Sequence, residues 1–555
     1  MIEPGAVADA LLAASTSARG IRAIEHDGRT SPLSYAALLT EALEIAGALR
    51  ARGLSTGDRV ALVIPEVADF IRAFFGITCA GLVPVALCPP AHAGDLSTFA
   101  RQSRHILLAS RANAVLASEG VAALLDVAGI DGLSVVTINS LRSGPALTAP
   151  VRISPTDAAL LQFTSGSTAA PKGVVLTHAN LAANIAAIAG PHGIAAQPSD
   201  IGVSWLPLYH DMGLIGMLLT AVYSHADTVL MSPVLFLKRP TAWLDAISTY
   251  RGTVSFAPSF AYDLCLRRVK PSQIDALDLS TWRVAGCGAE PVRSDTLRAF
   301  AERFGRAGFR ASSFMASYGL AEHSLAVSFA EGGIHEDIVD ADDLVARSLA
   351  TLTSPASTAV VRIVACGAPF PGHELRIVDE HDRPLPERHI GSIVARGPSV
   401  MQGYFEDSGA TEEALRGGWL RTGDLGYLAR GQLFVCGRTK DLIIRQGRKY
   451  HPADLESAIA DLPGLRSTGI VVFGITRLHE GDEVVAVIEA RASAAHDDVV
   501  DQVRRRVRET AGLELDRVVI TAPGTIPRTT SGKVRRAETR NLLVAGTLEH
   551  SPSYN

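Results

Sequence analysis

Three features of the 555-residue chain predict an α/β protein of two or more domains. Helix-type patterns alternate with short Val/Ile/Leu runs along most of the length, the order that gives mostly parallel sheets with helices. A chain this long exceeds the size at which a single core keeps growing. The pattern then resets near Gly437-Arg438-Thr439-Lys440-Asp441, beyond which a shorter, different order of elements begins.

The elements follow in order. Arg59 to Ile64 reads as a buried strand, Val67 to Cys79 as an apolar-faced helix, and Leu82 to Leu87 as another strand. Pro84 favours an end or edge position for that strand, because proline cannot donate to a ladder. Ala114 to Ala117 and Ser134 to Ile138 are further strands, Val174-Val175-Leu176 is another, and the alanine-rich run Leu181 to Gly190 is a buried helix. Between Glu331 and Arg362 the composition changes: Asp340 to Asp343 is acidic, and Thr351 to Thr358 is rich in Ser, Thr, Ala and Pro. This predicts an insertion or long connection. A strand-rich section, Cys366 to Val435, follows; within it Leu375 to Asp379 and Ser392 to Arg396 alternate as half-buried strands do. After the reset, Asp454 to Leu462 reads as helix, Gly469 to Gly474 and Glu483 to Ala490 as strands, His496 to Gly512 as a charged helix and Arg517 to Thr521 as a last strand. The expected division is a large domain over 1–437, with an insertion at 331–362 and a β-rich part at 366–435, and a small α+β domain over 438–555.

Composition narrows the function. The apolar fraction of 47% and charged fraction of 20% are those of a globular protein. A net charge of -5 supplies no basic field for nucleic acid, and Arg504-Arg505-Arg506 reads as a solvated helix face. The six cysteines lack C-x-x-C spacing, which argues against a zinc site or disulfide framework and fits a reducing compartment. The start, Met1-Ile2-Glu3-Pro4-Gly5, shows no basic region followed by an apolar core, and no run reaches the roughly twenty apolar residues of a membrane span. A cytoplasmic location is the expectation.

The chemistry concentrates first in Thr164-Ser165-Gly166-Ser167-Thr168-Ala169-Ala170-Pro171-Lys172-Gly173. Set between two apolar segments, this loop can wrap a polyphosphate. Glycine allows close backbone approach, N–H groups and hydroxyls donate to oxygen, and the ammonium offsets charge. It is not a Walker A loop, since Lys172 precedes Gly173 and the following Val-Val-Leu is a strand.

Residues 164–172 resemble the phosphate loop of the adenylate-forming superfamily, which includes acyl-CoA synthetases, peptide-synthetase adenylation domains and luciferases. Further matches occur in the family's order. Gly288-Ala289-Glu290-Pro291 resembles the segment beside adenine. Ser317-Tyr318-Gly319-Leu320-Ala321-Glu322 resembles Tyr-Gly-x-Thr-Glu. Arg421-Thr422-Gly423-Asp424 resembles the ribose motif. Gly437 to Asp441, with Gly447 and Glu456, resembles the hinge motif, and Pro527 to Lys533 the C-terminal lysine motif.

The resemblance implies ATP and Mg²⁺ as cofactors. Lys533 would bridge the substrate carboxylate and the α-phosphate, with Lys172 serving the phosphates. Glu322, with Thr168, would hold Mg²⁺. Tyr318 would stack on adenine, beside Ser317 and Gly319. Asp424 would accept from the ribose hydroxyls, with Arg438 near ribose and phosphate, and Lys440 would be the pivot between the two domains. Ala321 stands where the family usually has Thr, so one hydroxyl is missing.

Trp205-Leu206-Pro207-Leu208-Tyr209-His210-Asp211-Met212-Gly213-Leu214-Ile215-Gly216 mixes aromatics, an imidazole and aliphatics, a set that can wall an acyl pocket and gate its mouth. Trp205, Tyr209, His210, Met212 and Gly213 are the pocket candidates, His210 being also a catalytic candidate. The phrase resembles the fatty acyl-AMP ligase branch in particular, as do Ala321 and the insertion before Cys366-Gly367-Ala368-Pro369. That branch passes its acyl-adenylate to the phosphopantetheine thiol of an acyl carrier protein, and its insertion is thought to restrict the domain rotation that builds a coenzyme A site. Gly447-Arg448-Lys449-Tyr450-His451-Pro452 departs from the branch's Arg-Asn-His-Tyr-Pro order, so coenzyme A stays open as the acceptor. Residues 331–362 either pack against the large domain or form a mobile loop. A scaffold without turnover and a luciferase-like oxygenase are the other classes. The acid itself is not specified.

Overall fold

A computed structural model describes residues 5–90, 96–127, 134–142, 145–164, 171–357, 359–445, 448–460, 462, 465–477, 481–490, 496–528 and 534–548. Two large sheets share one core. The first has seven strands in the order Gly403–Tyr404, Gly173–Thr177, Ala158–Phe163, Val83–Ala86, Arg59–Val63, Ala114–Ala117, Ser134–Thr137. Its last five run parallel, and Gly173–Thr177 is antiparallel to both its neighbours. The second has nine strands, with a parallel centre from Phe314–Gly319 through Val284–Cys287, Val254–Ala257, Ile201–Ser204 and Asp227–Met231 to Gly20–Ile24. Strands buried on both faces read as continuous Val/Ile/Leu/Ala runs, which is why these were visible in the sequence.

Helix Val67–Cys79 touches strands of both sheets and is apolar nearly all round, so Phe70, Phe74 and Phe75 are all buried. A Cβ on its Gly76 would stand 2.4 Å from the Ile45 side chain, so glycine there lets helix Tyr35–Ala51 approach closely. The strand Val83–Ala86 is interior, although it carries Pro84. The reason is directional. The N–H groups of Val83 and Leu87 go to Asp58 and Leu62, on the side of Arg59–Val63. Pro84 faces the other side, where Val85 and Leu161 are the only pair among the described residues.

Strands Glu336–Asp340 and Val360–Val364 pair antiparallel, and helix Ala341–Arg347 follows the first of them. Val339, Leu344, Ala350 and Ile363 share a small core with Tyr427, Ala429, Phe434 and Cys436 of the β-rich section. Asp337, buried, pairs with Arg388 at 3.0 Å and Arg430 at 2.9 Å. The opposite side of this helix meets the C-terminal elements: Val345 packs on their core and Asp342 pairs with Arg448 at 2.8 Å. Those elements have their own three-stranded sheet, Leu465–Arg477, Gly481–Ala490 and Arg517–Thr521, under helices Pro452–Ile459 and His496–Ala511.

Among the described imidazoles buried in the large core are His178 and His323. His178 Nδ1 accepts from the Val7 N–H at 3.2 Å, and His323 Nδ1 lies 2.9 Å from the Ala326 carbonyl. Burial pushes each down to about 4. The unfolded chain protonates both near 6.5, so between these values it binds more protons than the fold. Stability is therefore fully present above pH 6.5 and is lost as pH falls toward 4, by up to about 3 kcal/mol per imidazole. Trp205, Trp243 and Trp282 are buried in this core, so thermal unfolding followed by tryptophan fluorescence reads it directly. The midpoint should fall steadily from pH 7 to pH 5; a flat profile would contradict this account.

Candidate active site

The strands Ala158–Phe163 and Gly173–Thr177 form an antiparallel hairpin around residues 164–172. The Thr164 N–H donates to the Lys172 carbonyl at 3.0 Å, which brings the two ends of the loop together. Ser165, Gly166, Ser167 and Thr168 lie outside the described residues. The chain turns directly from Gly173–Thr177 into helix His178–Ala189. A reciprocal cap starts that helix: Asn180 N–H donates to Thr177 Oγ1 and Thr177 N–H to Asn180 Oδ1, each at 3.1 Å.

A second group of candidates sits at the carboxyl ends of two parallel neighbours, Val284–Cys287 and Phe314–Gly319, the end of an open α/β sheet at which ligands bind. Ser317 Oγ donates to the Cys287 carbonyl at 3.2 Å. A Cβ on Gly288 would lie 2.2 Å from that Oγ, so only glycine leaves the approach open. Ala289 is left-handed at φ 69°. Glu290 Oε1 accepts from the Phe260 N–H at 2.8 Å, and the Pro291 carbonyl accepts from Ser259 Oγ at 3.3 Å. A Cβ on Gly319 would stand 1.9 Å from the Leu325 carbonyl, where the chain folds back on itself. Glu322 lies in the single turn Ala321–His323, and the buried Ser324 after it is held at φ 63°, ψ −64°, a conformation unfavourable for a side-chain-bearing residue.

The β-rich section closes this group from a third sheet. Asp424 on Trp419–Ala429 faces Arg438 on Gln432–Arg438 as a cross-strand pair, with Arg438 Nε 3.2 Å from Asp424 Oδ1. Tyr318 donates its hydroxyl to Asp424 Oδ2 at 2.7 Å. Burial raises the Asp424 carboxyl, against the Arg438 charge and the Tyr318 hydrogen bond, and raises the Tyr318 hydroxyl well above its usual range. Burial also raises Glu322, which accepts from the Tyr404 hydroxyl at 2.8 Å. Lys172 Nζ lies 4.9 Å from the centre of the Tyr404 ring. Sequence reasoning missed Tyr404: nothing local to Gly403-Tyr404 announces contacts with two distant segments.

The aromatic run divides. Trp205 is in the packed interior, stacked on Phe236 with ring centres 4.0 Å apart, and Met212 is buried too. Tyr209 and His210 are partly exposed. The Tyr209 carbonyl accepts from Gln162 Nε2 at 3.2 Å, tying this run to the strand that leads into residues 164–172. His210 Nδ1 lies 2.5 Å from Asp211 Oδ1, and that oxygen also accepts from the Met212 N–H at 2.7 Å. A Cβ on Gly213 would meet the Pro207 carbonyl at 2.2 Å, so glycine permits the tight entry into the π-helical segment Met212–Leu219.

Lys440 is exposed in the single turn Thr439–Asp441. On one side of it Arg438 is paired to Asp424; on the other, Asp441 is paired to Arg536 at 2.8 Å, and Arg536 also holds Glu456 at 2.7 Å. Lys533 lies outside the described residues.

The donor chemistry at Glu322 fits Mg²⁺, a hard cation that takes one or two protein carboxylates and completes its shell with phosphate and water oxygens. A carboxyl whose charge is disfavoured by burial gains most from such a cation.

Residues 13–405 match the family described as AMP-binding enzyme, and residues 440–553 match the AMP domain of the Disco-interacting protein 2-like family. A protein of Caulobacter vibrioides named as a candidate acyl-CoA synthetase is 37% identical over 545 residues, covering 96% of this chain and 94% of that protein. The medium-chain-fatty-acid–[acyl-carrier-protein] ligase JamA of Moorena producens is 34% identical over 541 residues, covering 93% and 90%. A solved structure from a study of fatty acyl-adenylate ligases of E. coli and L. pneumophila superposes with a TM-score of 0.92 at 37% identity, covering 98% of each chain. Its motifs, its fold and these relatives agree: the chain belongs to the AMP-binding enzymes of the adenylate-forming superfamily.

Proposed function

We propose that this chain joins a hydrophobic carboxylic acid, a fatty acid by its relatives' names, to AMP, and then passes the acyl group to the phosphopantetheine thiol of an acyl carrier protein. One observation carries the adenylation step. Tyr318, Asp424 and Arg438, from two sheets, form a hydrogen-bonded group, while Glu322, four residues past Tyr318, is joined through Tyr404 to Lys172. A nucleotide laid along this path would meet an aromatic face, a carboxylate for the ribose hydroxyls, and then a carboxylate and an ammonium for the phosphates.

The residues' tasks follow from the reaction. A carboxylate oxygen of the acid attacks the α-phosphorus, the bond to the β-phosphate oxygen breaks, and pyrophosphate leaves. Both reactants are anions, so alignment and charge neutralisation dominate the barrier. Lys172 and the 164–168 hydroxyls hold the β- and γ-phosphates. Glu322 would hold Mg²⁺, which when bound would supply positive charge beside the phosphates. Asp424 and Arg438 fix the ribose. Lys533, swung in from the C-terminal elements, steadies the attacking carboxylate and the α-phosphate. In the second step the thiol sulfur attacks the acyl carbonyl, its proton is lost, and AMP leaves. Thr439 and Lys440 lie between two anchored ion pairs, Arg438 with Asp424 and Asp441 with Arg536, which is the arrangement a pivot needs.

The carrier is favoured over coenzyme A because the insertion touches both the β-rich section and the C-terminal elements, and so limits the extent of rotation, short of the turn that would build a coenzyme A site. The Caulobacter relative's name supports the second reading, with coenzyme A as acceptor. Single-turnover reactions with preformed acyl-adenylate separate the two. Acylation of a phosphopantetheinylated carrier protein should exceed that of coenzyme A by at least about tenfold, a difference of ~1.4 kcal/mol in barrier. Equal rates would establish the second reading instead.

A further inference from the structure

We propose that Tyr404 is a positioning residue that couples the phosphate lysine to the metal carboxylate: its ring seats Lys172 and its hydroxyl orients Glu322. The inference rests on the adenylation reading above and assigns a task that reading leaves open. The Tyr404 hydroxyl donates to Glu322 Oε1 at 2.8 Å, and Lys172 Nζ stands 4.9 Å from the ring centre, within cation–π range. One side chain thus touches both groups that would face the triphosphate and its cation.

The segment around it is built to hold that geometry. Tyr404 pairs with Val174 and Gly403 with Val175, on the strand that leaves Lys172. The Phe405 N–H donates to the Gly173 carbonyl at 2.7 Å, and the Gln402 N–H to the Val175 carbonyl at 3.0 Å. On the other side the Met401 N–H donates to the Glu322 carbonyl at 2.9 Å. Tyr404's own N–H goes to Thr411 Oγ1 at 2.9 Å, on helix Ser408–Ala414, which Asp407 caps. Residues 401–405 are therefore stapled to Glu322 at one end and to Gly173 at the other, with Tyr404 between. A partly buried carboxylate that accepts a hydroxyl hydrogen bond keeps one oxygen fixed, which leaves the other to a cation.

The two halves of the side chain separate experimentally. Tyr404→Phe removes the hydroxyl and keeps the ring; Tyr404→Leu removes both. The full-length protein is titrated with Mn²⁺ by electron paramagnetic resonance in the presence of α,β-methylene-ATP, and affinity for the analogue is measured by calorimetry. Tyr404→Phe should weaken Mn²⁺ on the order of tenfold, as loss of a partner to a ligating group does, and leave analogue affinity within about twofold. Tyr404→Leu should weaken Mn²⁺ equally and lower analogue affinity a further several-fold, about what a cation–π contact supplies. Adding Tyr404→Phe to Glu322→Gln should weaken Mn²⁺ no further. Should the leucine variant fail to fold, the phenylalanine variant and the double variant decide. Mn²⁺ affinity unchanged in Tyr404→Phe, or additive losses in the double variant, would overturn the inference. A wild-type protein that makes no acyl-adenylate would instead overturn the adenylation reading on which it rests.

Discussion

Lys533→Ala is expected to slow acyl-adenylate formation at least a hundredfold, while transfer from supplied acyl-adenylate to the thiol continues near the wild-type rate. The argument is electrostatic. A carboxylate approaching a polyphosphate meets a barrier set by like charges. One preorganised cation at the point where charge concentrates contributes on the order of 3 kcal/mol or more, about a hundredfold in rate. Lys533 falls in a motif, Pro527-Arg528-Thr529-Thr530-Ser531-Gly532-Lys533, that resembles the family's C-terminal lysine segment. Arg528 and Val534, which flank it, pair as a β-bridge. Thiol attack on the finished anhydride displaces AMP and needs no cation at the α-phosphorus. Separate assays of the two half-reactions check this. Parallel loss of both, in a variant with a wild-type melting profile, would remove Lys533 from its assigned place.

The second large effect belongs to Asp424→Ala. Asp424 accepts from Tyr318 at 2.7 Å and faces Arg438 at 3.2 Å. Truncation leaves the buried Tyr318 hydroxyl without its acceptor, which costs roughly 1–3 kcal/mol of stability. Arg438 is half-exposed, so its share is small. In catalysis the variant loses a charged acceptor for two ribose hydroxyls. Bonds to a charged group contribute roughly 1.5–3 kcal/mol, so kcat/KM for ATP should fall about a hundredfold, mostly through KM. Asp424→Asn should recover part of the stability and less of the ATP efficiency. Steady-state kinetics across ATP concentrations, with thermal unfolding beside them, reads both terms. An unchanged KM for ATP would place the ribose elsewhere.

Much of the fold was legible because its parallel strands are buried on both faces and spell continuous Val/Ile/Leu/Ala runs; helix Val67–Cys79 was bounded to the residue. The rest depended on distance and direction. Pro84 argued for an edge, yet the strand is interior because proline's missing N–H faces a sparsely paired side. The π-helical segment Met212–Leu219 carries an apolar run without helical periodicity to mark it. The order of nine strands in one sheet follows from packing between segments hundreds of residues apart.

The same holds at the site. Tyr318, Asp424 and Arg438 each stood in a short motif, and the structure brings them within hydrogen-bond reach. Trp205 stands in a mixed aromatic run, and the fold packs it with Phe236, Trp243 and Phe260, neighbours that no local window of sequence contains. Tyr404 meets Glu322 across 82 residues, so no window of sequence contains the pair.

The central claim is that this site forms an anhydride between an acid and AMP. Incubation of the purified chain with Mg²⁺, ATP and a panel of medium- and long-chain fatty acids, followed by mass spectrometry of the nucleotide products, tests it most directly. The account predicts acyl-AMP and pyrophosphate in equal amounts, formed only when an acid is present. Release of ADP and phosphate, or of AMP without any acyl-AMP even at the first turnover, would contradict it.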